Sequence, residues 1–516
     1  MHVNIGKIIR RRGWNPYSVF LVFLPAIVIF VLMALMTDQP SYRNLIPVWN
    51  DEVGWWGFIR NIVENINYPG HTGYNGEYAK IGNFGPWGVT PLLPYALIGK
   101  IFGWNLYSMS MANMFILGFG LFAFSQLVNA DNRTILRIGI LYFCTYISVG
   151  YTMTSMSESL RYSLTIILCG IVIFLSRKEP GNDDGDKTAQ HRYYIFLVVS
   201  GLILLYAVNV WLILALFIPL FLWQVLRKCS NGIKLILIPL ITVIISAIEQ
   251  YTVGLVSYSY AESVFSKIAA EVKMGGVLAG VRFAISNMFA NLETISLPNI
   301  IKNENNTLFM YFLLYLILVV ISTVKVFREK SYRNFLVWYL LTGFLFGYCA
   351  LYTGSGWTLC RGTNAGLFAA VLCACVFESN ETSVNIRKIV YTAGLIGIVV
   401  SYDYFSGIIT ERVITAANTD LIIEEQIRLA DVIRVSPDND AWDNTVAEYG
   451  SVDYWYLAMP VGASGNYMLN GETNTKARYV IIRSGDGAAE NVVNTHINNG
   501  YAVVLEDDIF IVLMRE

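Results

Sequence analysis

Long apolar runs separated by short polar joints repeat along most of this chain. The runs at about 17–36, 106–128, 138–153, 159–176, 233–250, 307–326, 335–352, 365–377 and 389–405 have the length and composition of helices that cross a membrane. Residues 193–226 are too long for one such helix and short for two, and read as a tight pair broken near Asn209. The total is about eleven spans. Two longer and more polar segments interrupt the series, 37–105 and 251–306, the second amphipathic and ending in Lys302-Asn303-Glu304-Asn305-Asn306. Asp131 to Arg137 reads as a short link, and Thr353 to Asn364 as a turn. After about 406 the pattern changes. Leu421 to Val435 has helical periodicity, whereas Tyr479–Arg483 and Asp508–Leu513 read as strands between Gly- and Asn-rich joints. The expected fold is therefore mostly α. A polytopic membrane module occupies 1–406, and a small C-terminal α/β domain occupies 407–516.

Composition supports the membrane assignment. The chain has 516 residues, 55% hydrophobic and 14% charged, where a soluble domain carries roughly 25% charge. Gly, Ser and Tyr within the runs predict helices that pack on one another. The cluster Arg10-Arg11-Arg12 before the first run places the N-terminus in the cytoplasm, and no convincing cleavage site follows it. Basic joints then fall inside, the short outer turns carry Arg361 and little else, and the C-terminal domain falls outside the cytoplasm. A net charge of −1 gives no reason to expect a nucleic-acid partner. The seven cysteines show no metal spacing and read as small apolar residues rather than a disulfide framework. His496 stands alone in the tail and reads as a surface residue. The tail has no Gly-rich phosphate loop, metal cluster or nucleophile elbow.

Candidate chemistry gathers at the predicted outer face. Asn50-Asp51-Glu52 opens a helix whose Val53, Trp56, Ile59, Val63 and Ile66 give one apolar stripe, as in a helix lying on a membrane surface. The bland reading is an N-cap followed by two acids favoured by the helix dipole. The functional reading is a partly buried carboxylate beside an aromatic wall, which makes a better base. Adjacent helical residues diverge by about 100°, so the two acids differ in role. Trp55, Trp56 and Trp87 are candidates to stack on a sugar ring. Glu158 and Arg161 sit at the outer mouth of the fourth run, where Ser155 and Glu158 also fit a capping box. Arg361 precedes the 365–377 run; a cation there is tolerable if an anion such as phosphate binds with it. Snorkelling to outer headgroups is its bland alternative. Arg282, with Lys267 and Lys273, is a weaker candidate of the same kind. His71, Glu77 and Lys80 lie in an irregular Gly-rich stretch. One His and scattered acids leave a divalent metal open.

An acidic pair opening a long first outer loop, a late outer Arg and an outer α/β tail resemble the GT-C glycosyltransferases. These include protein O-mannosyltransferases, aminoarabinose transferases of lipid A and oligosaccharyltransferases. In sequence the resemblance rests on Asp51-Glu52 as the first-loop acidic motif. It also rests on Pro86-Trp87-Gly88-Val89-Thr90-Pro91-Leu92-Leu93-Pro94-Tyr95, the Pro-rich approach to a second surface helix. The resemblance implies a polyprenyl-phosphate sugar as donor, with membrane lipid around it and a glycan, lipid or protein acceptor. It also implies a carboxylate of the pair as base and Arg361 at the donor phosphate, aided by Arg161 or Arg282. A carrier or flippase for lipid-linked sugars, a polysaccharide polymerase and a non-catalytic scaffold are the competing readings. The expected location is the cell membrane.

Overall fold

The computed structural model describes residues 16–37, 45–64, 73–78, 88–144, 146–177, 199–201, 211–226, 229–258, 263–296, 306–352, 356–377, 392, 410, 419–436, 441–450, 457–469 and 472–516. The helical body comprises α1 (Pro16–Thr37), α2 (Asn50–Glu64), α3 (Leu93–Phe102), α4 (Ser108–Val128), α5 (Asn132–Cys144), α6 (Tyr146–Thr152) and α7 (Glu158–Arg177). It continues with α8 (Trp211–Val225), α9 (Asn231–Val256), α10 (Val264–Thr294), α11 (Asn306–Glu329), α12 (Tyr332–Leu351) and α13 (Gly356–Phe377). Among the described residues six helices are long and apolar enough to cross a membrane, with shorter apolar stretches at Tyr17–Val31 and Ala215–Val225. Most of the expected run at 389–405 and most of 193–210 lie outside the described residues.

Small residues set the helix spacing, as expected where lipid is no less apolar than a side chain. An added Cβ at Gly120 of α4 would stand 2.7 Å from Ser163 of α7. At Gly362 and Gly366 of α13 it would stand 2.3 Å from the Tyr348 and Phe344 rings of α12. These contacts bring the start of α13 against the end of α12. Buried amides fix the same corner: Asn291 of α10 donates to the carbonyls of Cys349 at 2.8 Å and Tyr352 at 2.7 Å, beyond the last turn of α12.

The C-terminal part adds α14 (Thr419–Val432), α15 (Ala489–Ile497) and strands β3 (Thr445–Tyr449), β4 (Ser464–Met468), β5 (Tyr479–Arg483), β6 (Tyr501–Glu506) and β7 (Phe510–Arg515). Two short strands of the first polar segment, β1 (Gly73–Tyr74) and β2 (Glu77–Tyr78), complete a seven-stranded sheet in the order β2-β1-β4-β3-β5-β7-β6. β1, β4, β3 and β5 run parallel, and β2, β7 and β6 pair antiparallel. The β1–β2 turn uses Asn75 (φ 51°) and Gly76 (φ 77°), two left-handed residues that suit a tight hairpin. Asn466 Oδ1 accepts from Gly76 N at 2.8 Å. Two-residue strands carry no legible periodicity, so nothing in the residue pattern of 73–78 marks it as part of this sheet.

Several expectations change. α2 does not lie on a membrane surface, because both of its faces are covered by protein. Trp55, Phe58, Ile59 and Val63 pack into the helical body. Val53 and Trp56 pack with Ile422, Leu429, Val446, Tyr479 and Ile481 of the C-terminal part. Asn61 locks this second contact, accepting from Gly462 N at 2.8 Å and donating to Ala463 O at 3.3 Å. α5 begins at Asn132, inside the expected link, where Asp131 accepts from Thr134 N as an N-cap. α13 begins at Gly356, so Arg361 lies within a helix rather than ahead of one. His496 is 1% exposed, not a surface residue; its ring meets Val492 O at 2.9 Å and lies edge-on to Tyr449 and Tyr501.

Gly366→Ala is expected to lower the thermal midpoint in detergent, by the equivalent of about 1–3 kcal/mol of overpacking against Phe344. An unchanged midpoint contradicts the α12–α13 contact described above.

Candidate active site

The N-terminus of α2, the turn before α7 and the first turns of α13 converge at one end of the body. Glu52 is fully buried and holds two of these parts together. Its Oε2 accepts from Val48 N at 2.7 Å and Trp49 N at 3.0 Å, which closes the start of α2 on itself. Its Oε1 accepts from Ser155 N at 2.5 Å, which ties α2 to the turn 153–157. Asn113 of α4 braces the same turn, donating at 2.7 Å to both Thr154 O and Met156 O while accepting from Tyr95 OH at 2.5 Å. Ser155 is thereby occupied, with Ser110 Oγ 3.0 Å from its hydroxyl. Its backbone serves Glu52, and the carboxylate of Glu158 points elsewhere.

Glu158 is 2% exposed and meets two guanidinium groups. Arg361 Nε lies 2.8 Å from its Oε1, and Arg161 Nη1 lies 3.6 Å from the same oxygen. Arg361 also reaches Asp51, whose Oδ2 is 3.6 Å from Nη1. Arg361 therefore bridges a buried carboxylate and one that is 41% exposed. Its guanidinium lies 5.9 Å from the centre of the Tyr151 ring, and its backbone carbonyl accepts from Tyr162 OH. Burying so many charges is tolerable only because they pair. Two acids and two Arg residues leave the cluster formally neutral.

The carboxyl of Asp51 is raised above its ordinary value. Loss of water around it is the largest cause, Arg361 opposes that effect, and Glu158 adds to it. Its proton affinity therefore moves toward that of a general base, while part of the side chain remains accessible. Deeper in, several polar atoms are buried with no hydrogen-bond partner among the described residues: Ser157 Oγ, Glu158 Oε2, Arg161 Nε, Ser163 Oγ and Asn364 Oδ1. Buried orphans are rare in folded proteins, and Glu158 Oε2 and Arg161 Nε belong to the paired charges themselves.

The structure thus brings together Asp51, Glu158, Arg161 and Arg361, with Glu52 directly behind Asp51. It does not bring the other candidates to them. Trp55 and Trp56 are 1% and 3% exposed, and their indoles pack in the core instead of offering a face to a ring. Trp56 Nε1 donates to Asn105 O at 2.8 Å. Arg282 is exposed on α10 and forms no ion pair with the cluster among the described residues. Glu77 is exposed and lies 3.6 Å from Lys476 on the sheet edge. His71, Lys80 and Trp87 lie outside the described residues. Among the described residues no three His, Cys, Asp or Glu side chains form a metal-holding group. Asp51 and Glu158 both face a guanidinium, a set that does not fit a divalent ion. Reading the sequence missed Tyr151, Tyr162, Asn113 and Asn364. The last two carried a usable signal, since an amide inside an apolar run needs a partner.

No family model and no curated protein matches the chain. Several solved structures are similar to it, three of them as follows. The archaeal oligosaccharyltransferase AglB from Archaeoglobus fulgidus, in complex with an inhibitory peptide and a dolichol-phosphate, has a TM-score of 0.48 at 10% identity. That match covers 92% of this chain and 70% of the other. The Archaeoglobus fulgidus oligosaccharyltransferase with Zn and sulfate gives 0.46 at 11%, covering 90% and 68%. ArnT from Cupriavidus metallidurans bound to undecaprenyl phosphate gives 0.45 at 11%, covering 96% and 97%. Likeness at these values does not by itself assign an activity.

Glu52→Gln is expected to lower the thermal midpoint, because an NH2 group then faces one of three backbone N–H donors in a buried site. The cost is about 1–3 kcal/mol. A midpoint equal to that of the unaltered protein shows that Glu52 does not hold the 153–157 turn.

Proposed function

We propose that this protein transfers a sugar from a polyprenyl-phosphate donor to an acceptor hydroxyl at the outer face of the membrane. The observation that carries the proposal is Arg361, held between buried Glu158 and half-exposed Asp51. It pairs a phosphate-sized cation with a carboxylate of raised proton affinity at one end of a membrane-spanning body.

The unequal distances suggest how the parts divide the work. Glu158 lies 2.8 Å from Arg361 and is buried, whereas Asp51 lies 3.6 Å away and is part-exposed. An incoming phosphate therefore competes most readily with Asp51, the looser and more hydrated partner. Arg361 turns to the phosphate, assisted by Arg161, and Glu158 keeps its hold on both cations. Asp51 is released beside the bound donor. It accepts the proton of the acceptor hydroxyl as that oxygen attacks the anomeric carbon. The carbon–oxygen bond to phosphate breaks, its electrons leave with the polyprenyl phosphate, and the configuration at carbon inverts. Phosphate is already a good leaving group, so positioning and charge neutralisation supply most of the barrier reduction. Glu52 acts only by fixing where Asp51 stands. The C-terminal part covers α2 from the outside and belongs with it on that face.

The raised proton affinity of Asp51 has a sign that can be measured. A carboxyl whose folded value exceeds its unfolded one favours folding below the unfolded value, and loses that contribution as pH rises through the folded value. At neutral pH its charge is a burden on the fold. Asp51→Asn should therefore leave the thermal midpoint unchanged or raise it, while cutting transfer by about 100-fold or more. Transfer by the unaltered protein should rise with pH through an inflection above the ordinary carboxylate range. The assay is reconstituted protein with radiolabelled polyprenyl-phosphate sugar. Near-normal transfer by Asp51→Asn overturns the base assignment, and a midpoint several degrees lower makes Asp51 a helix cap. Label that changes leaflet without reaching an acceptor makes the protein a flippase.

A further inference from the structure

At the other end of the spanning helices lies a second feature. Tyr332 and Tyr348 mark the two ends of α12, sixteen positions apart, which is about 24 Å along a helix. At the Tyr332 end, the end of α8, the start of α9 and the α11–α12 joint enclose a cavity of about 690 Å³. Its walls are apolar, including Leu220, Ile238, Val326 and Phe335. Two cations line it, Lys234 and Lys330.

Lys234 is unusual for its position. α9 turns most of its apolar side chains outward, with Leu235 74% and Val243 66% exposed, as on a helix bathed in lipid. The buried residues of this helix are Lys234 and Glu249. Lys234 is 7% exposed, with its Nζ 4.7 Å from the centre of the Trp223 ring. A lysine at a helix end normally extends toward water; this one is folded into the cavity. Lys330 ends α11 with a left-handed backbone (φ 45°) and stands exposed at the same cavity. Lys325, Arg328 and Arg333 add positive charge nearby, and the acid among them, Glu329, accepts from Asn334 Nδ2 at 2.7 Å. The mouth opens through Leu235 and Phe327, 74% and 75% exposed, onto the lipid-facing surface.

We propose that this cavity holds an anionic phospholipid from the leaflet at the basic end of the helices, with its phosphate between Lys234 and Lys330 and one acyl chain along the apolar wall. The cavity is open to lipid, it is lined by two cations, and its walls match a hydrocarbon chain. A zwitterionic lipid brings its own ammonium group against the same lysines. Basic residues at a membrane surface select anionic headgroups in this way. The site is independent of the transferase reading, since it shares no residue with the Asp51–Arg361 cluster.

The test is native mass spectrometry of the full-length protein released from detergent with equimolar phosphatidylglycerol and phosphatidylcholine. The unaltered protein should retain phosphatidylglycerol over phosphatidylcholine by roughly thirtyfold, the preference two lysines confer. The double variant Lys234→Gln, Lys330→Gln should lose most of that preference. Should the double variant fail to fold, Lys330→Gln alone changes an exposed residue and should reduce the preference roughly fivefold. Equal retention of the two lipids by the unaltered protein overturns the proposal. So does a preference that survives in the folded double variant, or in Lys330→Gln if that is the variant measured.

Discussion

The structure depends on one guanidinium. Arg361 comes from α13, Asp51 from α2 and Glu158 from α7, and these three carboxylate and guanidinium groups meet at one end of the helical body. Neither Glu158 nor Arg361 is stable alone at that depth. A buried carboxylate without a partner costs several kcal/mol, and a guanidinium among apolar helix ends costs no less. Their mutual neutralisation closes α13 on α7, and the longer contact of Arg361 with part-exposed Asp51 meets α2 at the same point. The surrounding neutral contacts serve the same closure. Gly362 and Gly366 let α13 approach α12, Asn113 shapes the turn before α7, and Glu52 fastens α2 to that turn.

This arrangement also accounts for the two carboxylates of the opening motif behaving differently. Asp51 and Glu52 are adjacent on one helix and so project about 100° apart. Glu52 turns inward, spends both oxygens on backbone N–H groups and is fully buried. Asp51 turns toward Arg361 and stays partly in water. One stabilises the fold and the other is left with a destabilised charge. Keeping a costly charge at an accessible place is a common mark of a functional group, since nothing in the packing requires it.

Much of the body was legible in the sequence, because a membrane-spanning helix announces itself by length and apolarity. The runs at 17–36, 159–176, 307–326 and 335–352 fall within a few residues of α1, α7, α11 and α12. Asp51 stood out as an acid opening an amphipathic helix, and Glu158, Arg161 and Arg361 as charges at the mouths of apolar runs, and the structure places these four together. What stayed hidden depends on contacts between distant segments. Trp55 and Trp56 look like an exposed aromatic wall until the C-terminal part is seen to cover one side of α2 and the helical body the other. Arg361 looks like a residue ahead of a helix, because a cation near a helix N-terminus is disfavoured until two carboxylates from elsewhere offset it. His496 looks like a surface residue until Tyr449 and Tyr501 enclose it. The pairing of 73–78 with β4 has no local signal at all.

In the proposed reaction Arg361 exchanges Asp51 for the phosphate of a lipid donor while Glu158 stays in place. The decisive measurement is a structure determined with a polyprenyl phosphate bound. The expected result is phosphate oxygens in ion-pair contact with Arg361, the Asp51–Arg361 pair opened beyond its present 3.6 Å, and the Glu158–Arg361 contact kept near 2.8 Å. A phosphate bound elsewhere, with both ion pairs intact, would contradict it.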